Sequence, residues 1–249
     1  MIIIKSPREI GLMRAAGAVV AGALAEVARV ARPGARTIDI DRVVEDYIIR
    51  HEAVPAFKGF RGFPASACVS VNDEVVHGIP GSRRLDDGDI VSVDVGAVLG
   101  GFVGDAAVTL PVGEVPEESL RLIRVTEGCL DCAVAACVVG GRLSDIGHAV
   151  QAYAEANGFS VVRDYVGHGI GRNMHEDPQV PNFGPAGMGP ALKAGMTLAL
   201  EPMVNAGGYE VRVLADGWTV VTADGSRSAH FEHTVALTED GPLVLTALE

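Results

Sequence analysis

Aromatic residues are scarce in this chain of 249 residues: they make up 5 % of it, with one tryptophan, and cysteine occurs only four times. Four cysteines are too few to frame an extracellular disulfide scaffold at this length. Three of them, Cys129, Cys132 and Cys137, fall within nine residues of an Ala/Val-rich stretch that reads as helix interior, where a thiol serves as a small apolar group. The Cys129-x-x-Cys132 spacing has no second pair to complete a zinc site, so neither redox nor structural-metal chemistry is assigned to it. Positive charge is short as well. Twenty Lys and Arg against 32 Asp and Glu leave a formal net charge of -12, which repels phosphate backbones and anionic lipid at long range. Neither nucleic acid nor a membrane surface is expected as a partner. Only Ile2, Ile3 and Ile4 precede Lys5, too little for a signal-peptide core, and no apolar run is read as reaching membrane-spanning length. A cytoplasmic location is therefore expected. Low-complexity tracts and Gly/Pro-rich linkers are missing too, and 48 % of the residues are hydrophobic, so one globular domain over residues 1–249 is expected.

What is present is patterned. Ser6, Pro7 and Glu9 form a capping box with proline at the first helical position, and the Ala-rich run behind it lasts to Pro33-Gly34, which predicts a first helix. A second is predicted from Thr37 to His51, followed by a Gly- and Phe-rich loop from Phe57 to Pro64. Val69 to Val76 and Ile90 to Val98 read as strands, and Gly100-Gly101 turns the chain into a returning strand from Phe102 to Leu110. The order then recurs. A helix from Glu117 to Val139 breaks at Gly140-Gly141, a further helix is opened by Ser144 and closed at Asn157-Gly158, and strand-like segments follow from Val161 to Val166, Met196 to Leu200, Trp218 to Thr222 and Phe231 to Leu237.

The recurrence reaches single residues. Gly34, Arg36, Asp39, Ile40, Val44 and Tyr47 match Gly140, Arg142, Asp145, Ile146, Val150 and Tyr153 at a constant offset of 106. Leu85, Gly88 and Asp94 match Leu192, Gly195 and Glu201 at an offset of 107, and His77-Gly78-Ile79 echoes His168-Gly169-Ile170. A duplicated, pseudo-twofold α+β fold with a curved antiparallel sheet and helices on its outer face is the economical reading.

The duplication bears on chemistry. Alternation in Ile90 to Val95 sets Asp94 on the face opposite Val91, Val93 and Val95, in a strand apolar enough to be buried. The Gly100-Gly101 turn brings Asp105 back to within about one residue pair of Asp94. Two unpaired carboxylates that close resist joint ionisation, and a divalent cation removes the conflict. Such a pair is often just a turn or a solvated edge. Here, however, Asp94 has a counterpart in Glu201, Glu232 can play in the second half the part of Asp105 in the first, and Gly167-His168-Gly169 adds an imidazole on a backbone thinned by glycine. Four carboxylates and one imidazole exceed the needs of one ion. They suit two divalent ions of the Mn, Fe, Co or Zn type rather than a thiolate-bound structural zinc.

Five motifs, Asn72-Asp-Glu-Val-Val-His77-Gly-Ile-Pro80, Asp94-x10-Asp105, Gly167-His168-Gly-Ile-Gly171, Met174-His175-Glu176 and Glu201-Pro-Met203, resemble those of the type I methionine aminopeptidases of peptidase family M24 in their short bacterial form. The resemblance spans essentially the whole chain. It implies the pita-bread (creatinase/aminopeptidase) fold and a metal set of Asp94, Asp105, His168, Glu201 and Glu232. By the same resemblance Asp94 binds one ion bidentately, Asp105 and Glu232 bridge, and His168 and Glu201 complete the second site. The implied reaction removes the initiator methionine from a nascent chain whose second residue is small and uncharged, by attack of a metal-activated water. Glu201 would shuttle the proton, His175 would stabilise the oxyanion, and His77 would bind the peptide backbone.

The side-chain pocket implied by the family falls on Phe57, Phe60, Phe63, Cys68, Met174 and Trp218. Phe60 and Phe63 stand where bacterial relatives often have tyrosine, and Met174 where an aromatic is common. His51, His148, His230 and His233 lie outside the motifs and are read as surface or core residues. A monomer that meets the ribosome transiently is expected. Two other readings share the fold: an Xaa-Pro-directed aminopeptidase or dipeptidase, and a binding module that has lost catalysis, whose usual signature is missing ligands.

Overall fold

The computed structural model describes residues 1–247. Two helices, α1 (Pro7–Val30) and α2 (Thr37–Arg50), lead into β1 (Val54–Pro55), β2 (Ala67–Val71), β3 (Glu74–Val76) and a long hairpin of β4 (Ile90–Leu99) and β5 (Phe102–Pro111). A second helix pair, α3 (Glu117–Ala136) and α4 (Leu143–Ala156), is followed by short strands: β6 (Ser160–Val161), β7 (Gly167–Gly169), β8 (Glu176–Val180), β9 (Thr197–Leu200) and β10 (Met203–Asn205). The remainder are β11 (Val211–Val213), β12 (Val220–Thr222), β13 (Ser228–His230), β14 (Glu232–Thr238) and β15 (Gly241–Val244). The main sheet runs β1-β4-β5-β14-β9-β7-β8, with β2 also on β4 and β15 also on β14, and every pairing in it is antiparallel.

The capping box opens α1 as its sequence requires: the Glu9 amide donates to Ser6 Oγ (3.4 Å) and the Ser6 amide to Glu9 Oε2 (3.0 Å). Its buried face is built of small residues, because α1 lies directly on the sheet. A Cβ on Gly104 of β5 would stand 2.7 Å from the Gly17 amide nitrogen, and one on Gly17 would stand 2.1 Å from the Leu245 carbonyl oxygen. By length and composition α1 could also cross a bilayer, contrary to the sequence reading that no run was long enough. Half of that stretch is instead buried within the protein, where Met13, Ala16 and Val20 pack inward.

The duplication is visible in the backbone. Gly34 donates to the Leu85 carbonyl and Gly140 to that of Leu192; Leu85 donates to Ala35 and Leu192 to Gly141; Ala53 donates to Ile48 and Phe159 to Ala154. Each helix pair also closes on a glycine against a tyrosine ring, Gly22 on Tyr47 and Gly128 on Tyr153. Several sequence expectations are corrected. Val69 to Val76 is not one strand, since Asn72 at φ 60° turns the chain between β2 and β3. Ser144 does not open α4: Arg142 occupies the cap, its amide donating to Asp145 Oδ2 (2.7 Å). The segment expected from Val161 to Val166 shrinks to β6, because most of it loops towards the site. The C-x-x-C pair lies on α3 as expected, all four cysteines are free, and Cys129 is fully buried.

Candidate metal centre

Strand register assembles the acids. Across the sheet, Cys68 pairs with Asp94, Asp94 with Ala107 and Ala107 with Glu232. Continuing the β14–β9 register by one residue past His233–Leu200 sets Glu201 opposite Glu232. Two residues along, and so on the same face, a second row runs from Gly96 to Asp105, with Thr234, Ala199 and His168 in line beyond it. The five expected ligands thus occupy two adjacent rows of one face, and Ala107, Gly96 and Ala199 leave the space between them open. Asp105 is diagonal to Asp94 rather than opposite it, since its direct partner is Gly96.

Neighbouring side chains brace the backbone of two of these acids. Thr234 Oγ1 accepts from the Asp105 amide (3.1 Å) and donates to the Asp105 carbonyl (2.8 Å), and the Asn182 amide group donates to the Glu201 carbonyl (3.0 Å). The His168 ring is oriented by contact of Nδ1 with the Gly169 carbonyl at 2.9 Å, which turns Nε2 to within 3.5 Å of Glu201 Oε1.

The chemistry of this floor is that of a cation site. Asp94 Oδ1, Asp105 Oδ1 and Glu232 Oε1 are buried and have no hydrogen-bond partner. One ligand atom each from Asp105, His168 and Glu232 lie within 4.8 Å of one another. Burial pushes the Asp94 carboxyl up to about 7. It raises Asp105, Glu201 and Glu232 well above the carboxylate range, with the charges of neighbouring acids adding to each. Acids this confined cannot all ionise without a compensating charge. Hard oxygen donors plus one neutral imidazole fit a divalent transition ion.

Above the floor is a cavity of about 190 Å³, smaller than a drug-sized site of about 300 Å³ or more and suited to one amino-acid side chain. All five expected ligands and His77, His175, Phe57, Phe60, Phe63, Cys68, Met174 and Trp218 line it. Within the lining only Arg61 and His175 are exposed, which marks the mouth. His175 stacks on Phe60 (ring centroids 5.5 Å apart) and lies 4.3 Å from His168; Trp218 meets Phe63 edge-on and His77 at right angles. A Cβ on Gly96 would strike Phe57 Cε1 at 2.7 Å and Met174 Cε at 2.8 Å, so glycine there sets the width of the slot. Burial, then the charge of His175, lowers both His77 and His168 to about 4, while burial, then Arg61, lowers His175. All three imidazoles are neutral at pH 7 and can each donate one N–H.

Sequence reasoning missed Arg61, Val76, Tyr165 and Val166, which also line the cavity. Tyr165, edge-on to His77 at 5.6 Å, precedes the Gly167-His168 motif by two residues, a proximity that could have flagged it. The four histidines set aside lie elsewhere: His51 and His148 at the surface, His233 turned to Thr246 Oγ1 (2.8 Å), and His230 buried with Nε2 unpartnered.

Comparison with known proteins matches residues 11–239 to metallopeptidase family M24. The chain is 55 % identical over 249 residues to a methionine aminopeptidase of Clostridium perfringens, covering 100 % of both chains. The solved methionine aminopeptidase of Thermotoga maritima superposes with a TM-score of 0.98 at 52 % identity, again over 100 % of both chains. The prolidase of Pyrococcus furiosus has the same fold at 22 % identity, with a TM-score of 0.81 over 99 % of this chain and 66 % of that one.

Proposed function

From the premise that this chain belongs to metallopeptidase family M24, we propose that the cavity is the active site of a methionine aminopeptidase that trims the initiator methionine from newly made polypeptides. The observation that carries the reading is the convergence of four carboxylates, three of them with buried unpartnered oxygens, and one imidazole at the floor of a slot sized for one side chain. Asp94, Asp105, Glu232, His168 and Glu201 would hold two divalent ions. Such ions supply Lewis acidity and make water nucleophilic near neutral pH.

The chain's own residues do the rest. The apolar wall of Phe57, Phe63, Met174 and Trp218 receives the methionine side chain and excludes water. The closed floor leaves no room beyond the amino terminus, so the substrate chain leaves through the mouth beside His175 and Arg61. His175, neutral and exposed on one side, donates its N–H to the scissile carbonyl oxygen as charge develops there. His77 donates to the peptide backbone. Glu201 takes the proton of the attacking water and passes it to the departing amine, a task suited to a carboxyl raised by burial. The narrow slot and crowded mouth favour a small second residue.

The test is a metal titration with simultaneous assay of methionine release. Met-Ala and Met-Gly peptides should be cleaved once Mn²⁺, Co²⁺, Fe²⁺ or Zn²⁺ is bound, and Met-Leu or Met-Lys peptides should not. No methionine release under any of these metals overturns the reading, and preferential cleavage of an Xaa-Pro peptide replaces it with the proline-directed one.

A further inference from the structure

Among the described residues the His175 ring has ring contacts, with Phe60 and His168, but no hydrogen bond, and its backbone position depends on the loop 171–176 that carries it. That loop is held by a buried ion pair outside the cavity. Lys5 Nζ lies 2.6 Å from Glu176 Oε2, and both side chains are only 4 % exposed. The other carboxylate oxygen, Oε1, accepts from the Arg172 amide (3.0 Å) and the Asn173 amide (3.2 Å), the two residues before Met174 and His175. Lys5 is fixed in turn, its amide donating to the Gly195 carbonyl (2.7 Å) and its Nζ to the Ile3 carbonyl (3.2 Å). The backbone makes room for the pair at Gly171, where a Cβ would stand 2.5 Å from Lys5 Cε and 2.7 Å from Glu176 Oε1. Gly171 itself accepts from the Val103 amide (2.8 Å), which ties the loop to the start of β5.

We infer that Lys5 and Glu176 are positioning residues for the reaction, a clamp between the N-terminal segment and the loop 171–176 that sets His175 over the scissile carbonyl. A buried ion pair adds little net stability over an apolar pair of the same size, and its geometric demand is its distinctive contribution. Here the demand is specific. The carboxylate meets two loop amides and one ammonium at once, which restricts the conformations open to the loop. The inference rests on the methionine aminopeptidase reading for the role of His175, and not for the clamp itself.

The experiment is a double-mutant cycle on methionine release from a Met-Ala peptide, with metal content measured in every variant. Lys5→Met and the neutral pair Lys5→Met/Glu176→Gln are each made in the wild-type and His175→Ala backgrounds. The neutral pair leaves no lone buried charge, so it serves if Lys5→Met alone does not fold. Lys5→Met, or the neutral pair in its place, should lower kcat about 10-fold or more, as expected when a reacting group is displaced by a fraction of an ångström. KM and metal content should stay within about 2-fold, and in the His175→Ala background the same change should add no further loss. An equal loss in both backgrounds, or no loss in either, overturns the clamp. Hydrogen exchange at the Arg172 and Asn173 amides gives an independent reading, faster exchange in the Lys5 variants being expected and unchanged exchange counting against the clamp. If the wild type released no methionine, the functional reading would fail and the exchange measurement would still decide the clamp.

Discussion

In the first half, Asp94 and Asp105 come from the interior of a ladder in which β4 and β5 pair residue for residue from Ile90–Pro111 to Leu99–Phe102. In the second half, Glu201 stands one residue past a four-residue strand, Glu232 begins β14, and His168 is the middle of three residues in β7. The helix pairs above these regions keep the same hydrogen bonds at the same offset. A duplicated scaffold therefore carries two different solutions to placing a carboxylate. One uses a continuous ladder, in which each ligand is held by its neighbours along the strand. The other uses strand ends, with Asn182 holding the Glu201 carbonyl and the Gly169 carbonyl orienting His168. Strand ends leave side chains freer to meet substrate, which accords with the proton-transfer role proposed for Glu201 rather than for its counterpart Asp94.

The sharpest way to break that division is to neutralise one acid of each kind. Glu201→Gln should lower turnover by about 10²–10⁴-fold, the range associated with a lost general acid–base, whereas Asp94→Asn should first lower bound metal. Elemental analysis alongside an assay of methionine release separates the two, and wild-type turnover in Glu201→Gln would contradict the assignment. Glycine substitutions come next. A Cβ on Gly167 would lie 2.4 Å from the Ala199 carbonyl oxygen and force β7 off β9, so Gly167→Ala should cost about 1–3 kcal/mol in denaturant unfolding and weaken metal retention through His168. Gly96→Ala meets side chains alone, the movable ends of Phe57 and Met174 and, at 3.1 Å, the Cβ of Ala56. It should therefore raise KM for Met-Ala peptides with a stability loss below about 1 kcal/mol.

A pH test probes the floor that both halves share. In the unfolded chain these carboxyls titrate near about 4, whereas in the fold burial lifts Asp94 to about 7 and raises Asp105, Glu201 and Glu232 well above their ordinary values. Without metal the folded state thus holds more protons than the unfolded one, and its stability falls as pH rises through 7. The buried histidines have the opposite sign, His77 and His168 at about 4 and His230 at about 3, but their contribution is complete once the pH exceeds about 6.5. Chelated protein should therefore lose melting temperature between pH 6.5 and 8 by more than loaded protein does, and parallel profiles would argue against a cation site. The smallest effect belongs to the helical scaffold. Cys132 is half-buried on α3, and its counterpart at the offset of 106 is Glu26, ion-paired with Arg29. Cys132→Ser should change stability by no more than about 0.5 kcal/mol and leave turnover unchanged; a loss of activity would point to a use of the thiol that its surroundings do not indicate.

The parts legible in the sequence share a physical signature that is local. Capping chemistry placed the start of α1, and alternation around Gly100-Gly101 placed the hairpin. The candidate ligands were legible because each acid interrupts an apolar run. Strands β7, β8, β10, β11, β13 and β15 were not, because three to five residues are too few to show a period of two. Ser144 was misread as a cap because a good capping residue stands beside the true one. The pairing of Lys5 with Glu176 gave no local sign, its two residues being 171 apart in the chain.

By itself, then, the sequence determined which residues could bind a cation, the helix pairs and the hairpin, since periodicity, capping and turn chemistry act over a few residues. Only the tertiary structure decided that Asp94, Glu232 and Glu201 lie in one row with Ala107 as a spacer, that Asp105 falls diagonal to Asp94, and that His175 hangs from a loop clamped by the N-terminal segment. Those facts depend on the register between strands far apart in the chain, where a slip of one residue would turn each acid to the opposite face. No short stretch of the sequence carries that information. The cluster of acids is a property of the assembled sheet.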